Sequence, residues 1–253
     1  MTLSRFTMEH PYRSALLFLL IVACVAVAMS MINGIVLMGS LVQLAAEDLV
    51  LAITGIFLLM RLDWWKTAGY TTGIRWAQVP LFVLPVAVAL LSLGEGIKVT
   101  APPVILAFAA LTLLIGFAEE TYFRGLILST LLPTGAIGAV VVSSFLFAAP
   151  HLLNILGGVW DPVFTLADTV AAFGLGVTFA ALRLRTGSIW PLVGIHALFD
   201  FRSLISLGGI DVPAQSPQVL LTSVIVGIVF VGYGLFLLWG GRDGGTGITN
   251  AGL

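Results

Sequence analysis

Eight apolar runs, each near the length a helix needs to cross a bilayer, follow one another with little sequence between them. A spanning helix takes ~17–25 residues. The runs lie at about 14–38, 42–61, 77–94, 101–131, 136–156, 163–183, 188–207 and 217–240. Soluble domains carry roughly 25% charged residues, whereas this chain has 9%, with 59% hydrophobic residues and a mean hydropathy of +1.12. The expected fold class is therefore all-α: a polytopic membrane helical bundle of about eight transmembrane helices. The second run is the weakest, because Glu47 and Asp48 interrupt its start, and the sequence assigns these two acids no role. The fourth is long and is expected to be tilted or broken near Gly116.

The first run continues from Ala15 to Met38 and is followed by more apolar sequence, so it reads as a retained span rather than the short core of a signal peptide. Arg5 and Arg13, then Arg61, Lys66 and Arg75, then Arg183 and Arg185, then Arg242 fall on one side of the eight-span count. The opposite connections hold Glu95 with Lys98, then Asp161 and Asp211. The positive-inside rule places both termini in the cytoplasm of a multi-pass cell-membrane protein. Asp63-Trp64-Trp65-Lys66, with Tyr70, Arg75 and Trp76, is too polar to cross and reads as an interfacial segment. An ordinary aromatic anchor is preferred there over a substrate-docking lid. Residues 241–253 are Gly-rich and expected to be a disordered tail on one transmembrane domain, 1–253.

A net charge of −1 excludes the basic footprint of a nucleic-acid binder. Cys24 is the single cysteine, so there is no internal disulfide and no cysteine cluster for a metal.

Against this background Glu119-Glu120-Thr121-Tyr122-Phe123-Arg124 is conspicuous, since an ionised group in mid-bilayer costs ~2.5–3.5 kcal/mol on insertion scales. At 1.5 Å per residue, Glu119 lies roughly 18 Å from the cytoplasmic end of its run, His151 roughly 22 Å, and His196 and Asp200 roughly 12 and 18 Å. Three helices thus bring polar groups to one layer. Glu120 and Arg124 are spaced i, i+4 in the favourable order for an ion pair, and pairing avoids a lone buried charge. Glu119 points about 100° away from Glu120, has no local cation, and is available as a general base. His196 and Asp200 share a face, as do Phe147 and His151, with Pro150 loosening the helix just before His151. Phe173-Gly-Leu-Gly176 and Ala180-Ala181 are small enough for close packing around such a site. Asp168 reads as a polar helix contact or a wall of the cavity.

Glu-Glu-x-x-x-Arg (119–124), Phe-x-x-x-His (147–151) and His-x-x-x-Asp (196–200), in that order, resemble the CAAX protease and bacteriocin-processing family of intramembrane endopeptidases. The resemblance covers about 101–205, the expected catalytic core, including Leu182-Arg-Leu-Arg-Thr-Gly-Ser-Ile-Trp190-Pro. It implies a membrane protease whose partners are lipid and a membrane-associated peptide or protein; eukaryotic members remove the last three residues of prenylated CAAX proteins. By position, Glu119 is the catalytic glutamate and His151 its partner in activating water. His196 and Asp200 steady the oxyanion or complete the site, and Glu120 with Arg124 is the supporting pair. Prenyl-processing members carry Asn where this chain has Asp200. Asp200 is then neutral, or only orients His196, or helps bind a metal. Glu119, His151 and His196 supply the ligand types of a catalytic zinc; the same residues could activate water without one, and the glutamate-dependent route is preferred. The His-Glu-x-x-His helix of soluble zinc proteases is absent. Two other classes compete: a proton-coupled carrier, which would explain buried carboxylates equally well, and a non-catalytic scaffold or immunity protein.

Overall fold

The computed structural model describes residues 3–37, 39–91, 96–156, 161–209 and 216–240. Among the described residues each of the eight expected runs is helical, and no strand occurs. A short α1 (Leu3–Glu9) precedes α2 (Pro11–Val36) and α3 (Ser40–Leu62); a 3-10 stretch (Trp76–Phe82) leads into α4 (Val83–Leu91). Next, α5 (Pro102–Glu120) continues through a π-helical stretch (Thr121–Ile127) into α6 (Leu128–Leu131). Then come α7 (Ala136–Ala148), a 3-10 turn (Ala149–Leu152), α8 (Leu153–Leu156), α9 (Pro162–Thr186), α10 (Trp190–Leu207) and α11 (Pro217–Trp239).

Local chemistry sets several of these boundaries. Asp161 caps α9 by accepting from the Val163 amide at 2.8 Å, with Pro162 in the first turn, where its missing N–H costs nothing. Gly187 ends the same helix in the left-handed region, φ 73°, which a residue with a Cβ resists. By length and composition α2, α3, Pro102–Thr134, α9 and α11 can each cross a membrane, while Trp76–Leu91 and Ala136–Leu152 are shorter apolar helices. With His196, Asp200 and Arg202 among its 18 residues, α10 is less apolar. Leu16, Leu17 and Leu20 of α2 and Ile53, Phe57 and Met60 of α3 are exposed, as befits surfaces facing lipid.

Two features differ from expectation. The fourth run is not broken at Gly116; its irregularity is the π-helical stretch that starts one residue after Glu120. Gly116 instead admits α10: a Cβ there would lie 2.7 Å from the Val193 carbonyl oxygen and 3.5 Å from the His196 Cβ. Residues 63–75 also do more than anchor. Arg183 donates to the Thr67 and Ala68 carbonyls at 2.7 and 3.2 Å, and the Trp190 indole donates to the Tyr70 carbonyl at 3.0 Å. The segment is thereby fastened over the π-helical stretch. Residues 241–253, expected to be a disordered tail, lie outside the described residues.

The buried apolar side chains form two clusters. The larger includes Leu51, Ala52, Ala118, Tyr122, Phe147, Leu192 and Ile195. The smaller comprises Phe108, Leu111, Ile115, Leu204 and Ile205, with Leu44, Ala45 and Phe201 against it. Increasing numbers along α5 meet decreasing numbers along α10, so these two helices are antiparallel. Gly55 of α3 lies against Thr121 while Leu44 packs near the Phe108 level, so α3 and α5 run parallel. The small residues expected to allow close packing do so: Gly174 meets the Gly227 backbone of α11, and Gly176 meets Ser144 of α7.

Candidate active site

Because α10 crosses α5 at Gly116, His196 arrives beside both glutamates. Glu120 has no exposed surface, and its Oε1 accepts from Arg124 Nη1 at 2.8 Å and pairs with His196 Nδ1 at 2.7 Å. With Glu120 as carboxylate, Nδ1–H is the donor, which leaves Nε2 for the open side of the ring. That nitrogen lies 3.6 Å from Glu119 Oε2 and 3.6 Å from Asp200 Oδ2. The side chains of Glu119 and Asp200 are each 33% exposed, in contrast to Glu120, although the Asp200 Oδ2 that meets His196 is itself buried.

Arg124 is sealed into this arrangement. Its guanidinium lies 4.2 Å from the centre of the Phe147 ring and 5.2 Å from that of Phe179, a favourable placement for a desolvated cation. Phe147 also meets the rings of His196 at 6.0 Å and His151 at 5.9 Å. It therefore touches a member of each of the three motifs. The π-helical stretch is entirely buried; such stretches are frequent at functional sites. Its first residue, Thr121, donates to the Phe117 carbonyl and hydrogen-bonds the Tyr70 hydroxyl. Burial pushes the Tyr70 phenol up to about 12, so it stays protonated and is the donor to Thr121.

His151 stands at one remove. It lies in the 3-10 turn after Pro150, and its Nδ1 is buried without a hydrogen-bond partner. Among the described residues it makes no ion pair with Glu119, but it is within electrostatic reach of Asp200 on α10 and of Asp168 on α9. Of the expected site residues, then, Glu119, Glu120, Arg124, His196 and Asp200 are joined by direct contacts, and His151 joins them through Phe147.

Sequence reasoning missed Glu47 and Asp48, which lie within electrostatic reach of Glu119. The only signal was two acids in an apolar run. It also missed Phe179, whose ring meets His196 at 6.2 Å and lies beside Arg124; nothing distinguishes that phenylalanine from core residues.

Among the described residues no three His, Cys, Asp or Glu side chains are grouped so as to hold a metal ion. Glu119 and His196 meet through Nε2, but among the described residues His151 makes no hydrogen bond or ion pair with either, so the three are not gathered into one ligand set.

Residues 101–202 match the family model described as type II CAAX prenyl endopeptidase Rce1-like. That match holds all three motifs and is consistent with a protein of the CAAX protease and bacteriocin-processing family, as the resemblance implied. No curated protein and no solved structure matches the chain.

Proposed function

We propose that the chain is an intramembrane endopeptidase that hydrolyses a peptide bond in a membrane-associated substrate, with Glu119 as general base. The observation that carries this reading is the division of His196. Its Nδ1 is tied to the buried Glu120–Arg124 pair, while Nε2 faces two partly exposed acids. An imidazole held this way is oriented before substrate arrives, which is the condition for electrostatic catalysis.

Glu119 takes a proton from water, and the hydroxide oxygen bonds to the scissile carbonyl carbon. The carbonyl oxygen becomes an oxyanion beside His196 Nε2, which donates to it when the ring is doubly protonated. As the C–N bond breaks, Glu119 returns its proton to the departing amine. His151 holds the opposite side of the water, and Asp200 is within electrostatic reach of both imidazoles. Asp200, where prenyl-processing relatives carry Asn, donates a hydrogen bond only when protonated. The family match supports a CAAX-type substrate, and the positions of the basic residues support a site opening toward the cytoplasm.

Glu119→Gln and His151→Ala, assayed on a membrane-tethered farnesylated CAAX peptide, should each lose at least about 100-fold in turnover while melting like wild type. Wild-type turnover in either variant would overturn the mechanism.

A further inference from the structure

Residues 67–70 are held more firmly than a connection at a membrane surface requires. Four successive carbonyls there each accept from a donor elsewhere in the chain. Ser129 of α6 donates to the Thr67 carbonyl at 3.2 Å, and Arg183 of α9 reaches those of Thr67 and Ala68 at 2.7 and 3.2 Å. The Ile189 amide donates to the Gly69 carbonyl at 3.2 Å, and the Trp190 indole to that of Tyr70 at 3.0 Å. Glycine is required at position 69: its φ is +87°, and a Cβ there would lie 2.5 Å from the guanidinium carbon of Arg183. A backbone fastened at every residue shifts only by breaking several hydrogen bonds at once. It is a fixed reference for whatever its side chains touch.

They touch the π-helical stretch. Ala68 is fully buried, and a Cβ on Gly125 would meet its methyl at 3.3 Å. The Tyr70 ring packs on Phe117 and Trp190, with centroids 5.8 and 5.3 Å apart, and its hydroxyl bonds Thr121. Thr121 has one hydroxyl proton, which it gives to the Phe117 carbonyl one turn back, so Tyr70 is the donor between the two. Back-bonding of this kind bends a helix, and here it occurs where α5 gives way to the π-helical stretch. Thr121 directly follows Glu120 on a continuous helical backbone. The point at which its side chain is anchored therefore fixes the rotation of Glu119 and Glu120 about the helix axis.

Resting on the peptidase reading, we propose that Tyr70 is a positioning residue for the two glutamates, acting through Thr121. Its hydroxyl ties the first residue of the π-helical stretch to the fastened backbone of 67–70. The tie holds α5 at the rotation in which Glu120 meets His196 Nδ1 at 2.7 Å and Glu119 meets Nε2 at 3.6 Å. Such precision matters because a misplacement of ~1 Å can cost ~100-fold in rate.

The test places the protein in proteoliposomes with the farnesylated peptide and compares Tyr70→Phe, Thr121→Val, the double variant and Thr121→Ser. Tyr70→Phe should lower kcat about tenfold with KM unchanged. Thr121→Val, which keeps the shape of the side chain, should lose at least as much, and the double variant no more than Thr121→Val alone. Thr121→Ser, which keeps the hydroxyl, should stay within about threefold of wild type. A second readout needs no turnover. In a protein carrying Cys24→Ser and Glu119→Cys, adding Tyr70→Phe should change the rate at which methyl methanethiosulfonate modifies position 119 by at least about threefold. Wild-type kcat in Tyr70→Phe, multiplying losses in the double variant, or equal losses in Thr121→Ser and Thr121→Val would overturn the positioning role. So would an unchanged modification rate, whether or not peptide is cut. Should wild type cut no peptide while that rate shifts as described, the peptidase reading falls and the tie from Tyr70 to Thr121 stands.

Discussion

Of the two adjacent glutamates, the one not expected to do the chemistry is the one on which the site hangs. Glu120 Oε1 serves Arg124 and His196 at once, with no solvent to replace either partner. Removing one member of a buried pair leaves an uncompensated charge and costs ~3–5 kcal/mol. Glu120→Ala is therefore expected to lower the melting temperature and abolish turnover together, whereas Glu119→Ala should abolish turnover alone. Pairing Glu120→Leu with Arg124→Leu should recover at least about 1 kcal/mol of stability relative to the sum of the single changes, as coupled residues do. A thermal-melt double-mutant cycle reads this directly, and additive losses would contradict it. The ion pair was legible because i, i+4 spacing on a helix is short-range geometry. The bond from Glu120 to His196 was not, since it spans 76 positions and depends on how closely two helices approach.

That approach belongs to the element. The eight helical runs could be read from hydropathy alone, because a span in lipid has few alternatives. Hydropathy says nothing about which helix crosses which, or where. Here the crossing of α5 and α10 is set by Gly116, which sequence reading took for a weak point in the helix. Gly116→Val should push α10 away from α5, lengthening the contacts of His196 with Glu119 and Glu120. A loss of about 100-fold in kcat is expected from displacement on the order of 1 Å. Melting should fall less than in Glu120→Ala, which a thermal scan beside the peptide assay would establish. The segment 63–75 gives a second case. Its Trp and Lys content read as membrane-interface chemistry, yet its carbonyls at Thr67 and Ala68 are held by Arg183 from α9. A hydrogen bond to a charged group contributes about 1.5–3 kcal/mol. Arg183→Ala should consequently destabilise the protein and expose the segment to limited proteolysis near Lys66, while Arg61→Ala leaves cleavage there unchanged. Resistance at Lys66 in the Arg183 variant would show that other contacts suffice.

For the molecule as a whole, charged residues inside the bundle are tolerated because several of them meet at one level. Glu119 and Glu120 of α5 meet His196 of α10, which also meets Asp200; Glu47 and Asp48 of α3 are within electrostatic reach of Glu119, and Arg124 is enclosed by Phe147 and Phe179. This level was partly legible, because depth along a helix follows from counting residues. The share of α3 in it was hidden, since nothing at Glu47 or Asp48 carries a motif. Sidedness is a property of the same scale. On the proposed reading of eight crossings, with Arg and Lys concentrated in alternate connections, residues 63–75 and both termini are expected on the cytoplasmic face and 96–100 on the other. The chain is well suited to test this, because Cys24 is its single cysteine and Cys24→Ser removes every native thiol. Thr71 and Thr100 are exposed in opposite connections. In that background, Thr100→Cys in intact cells should react with a membrane-impermeant maleimide, and Thr71→Cys should react only after the membrane is opened. Labelling of Thr71→Cys in intact cells would invert the orientation and turn the proposed site away from any cytoplasmic substrate. Labelling of both would mean that the number of crossings between them is even, which the single passages assigned to α4 and its 3-10 lead-in forbid.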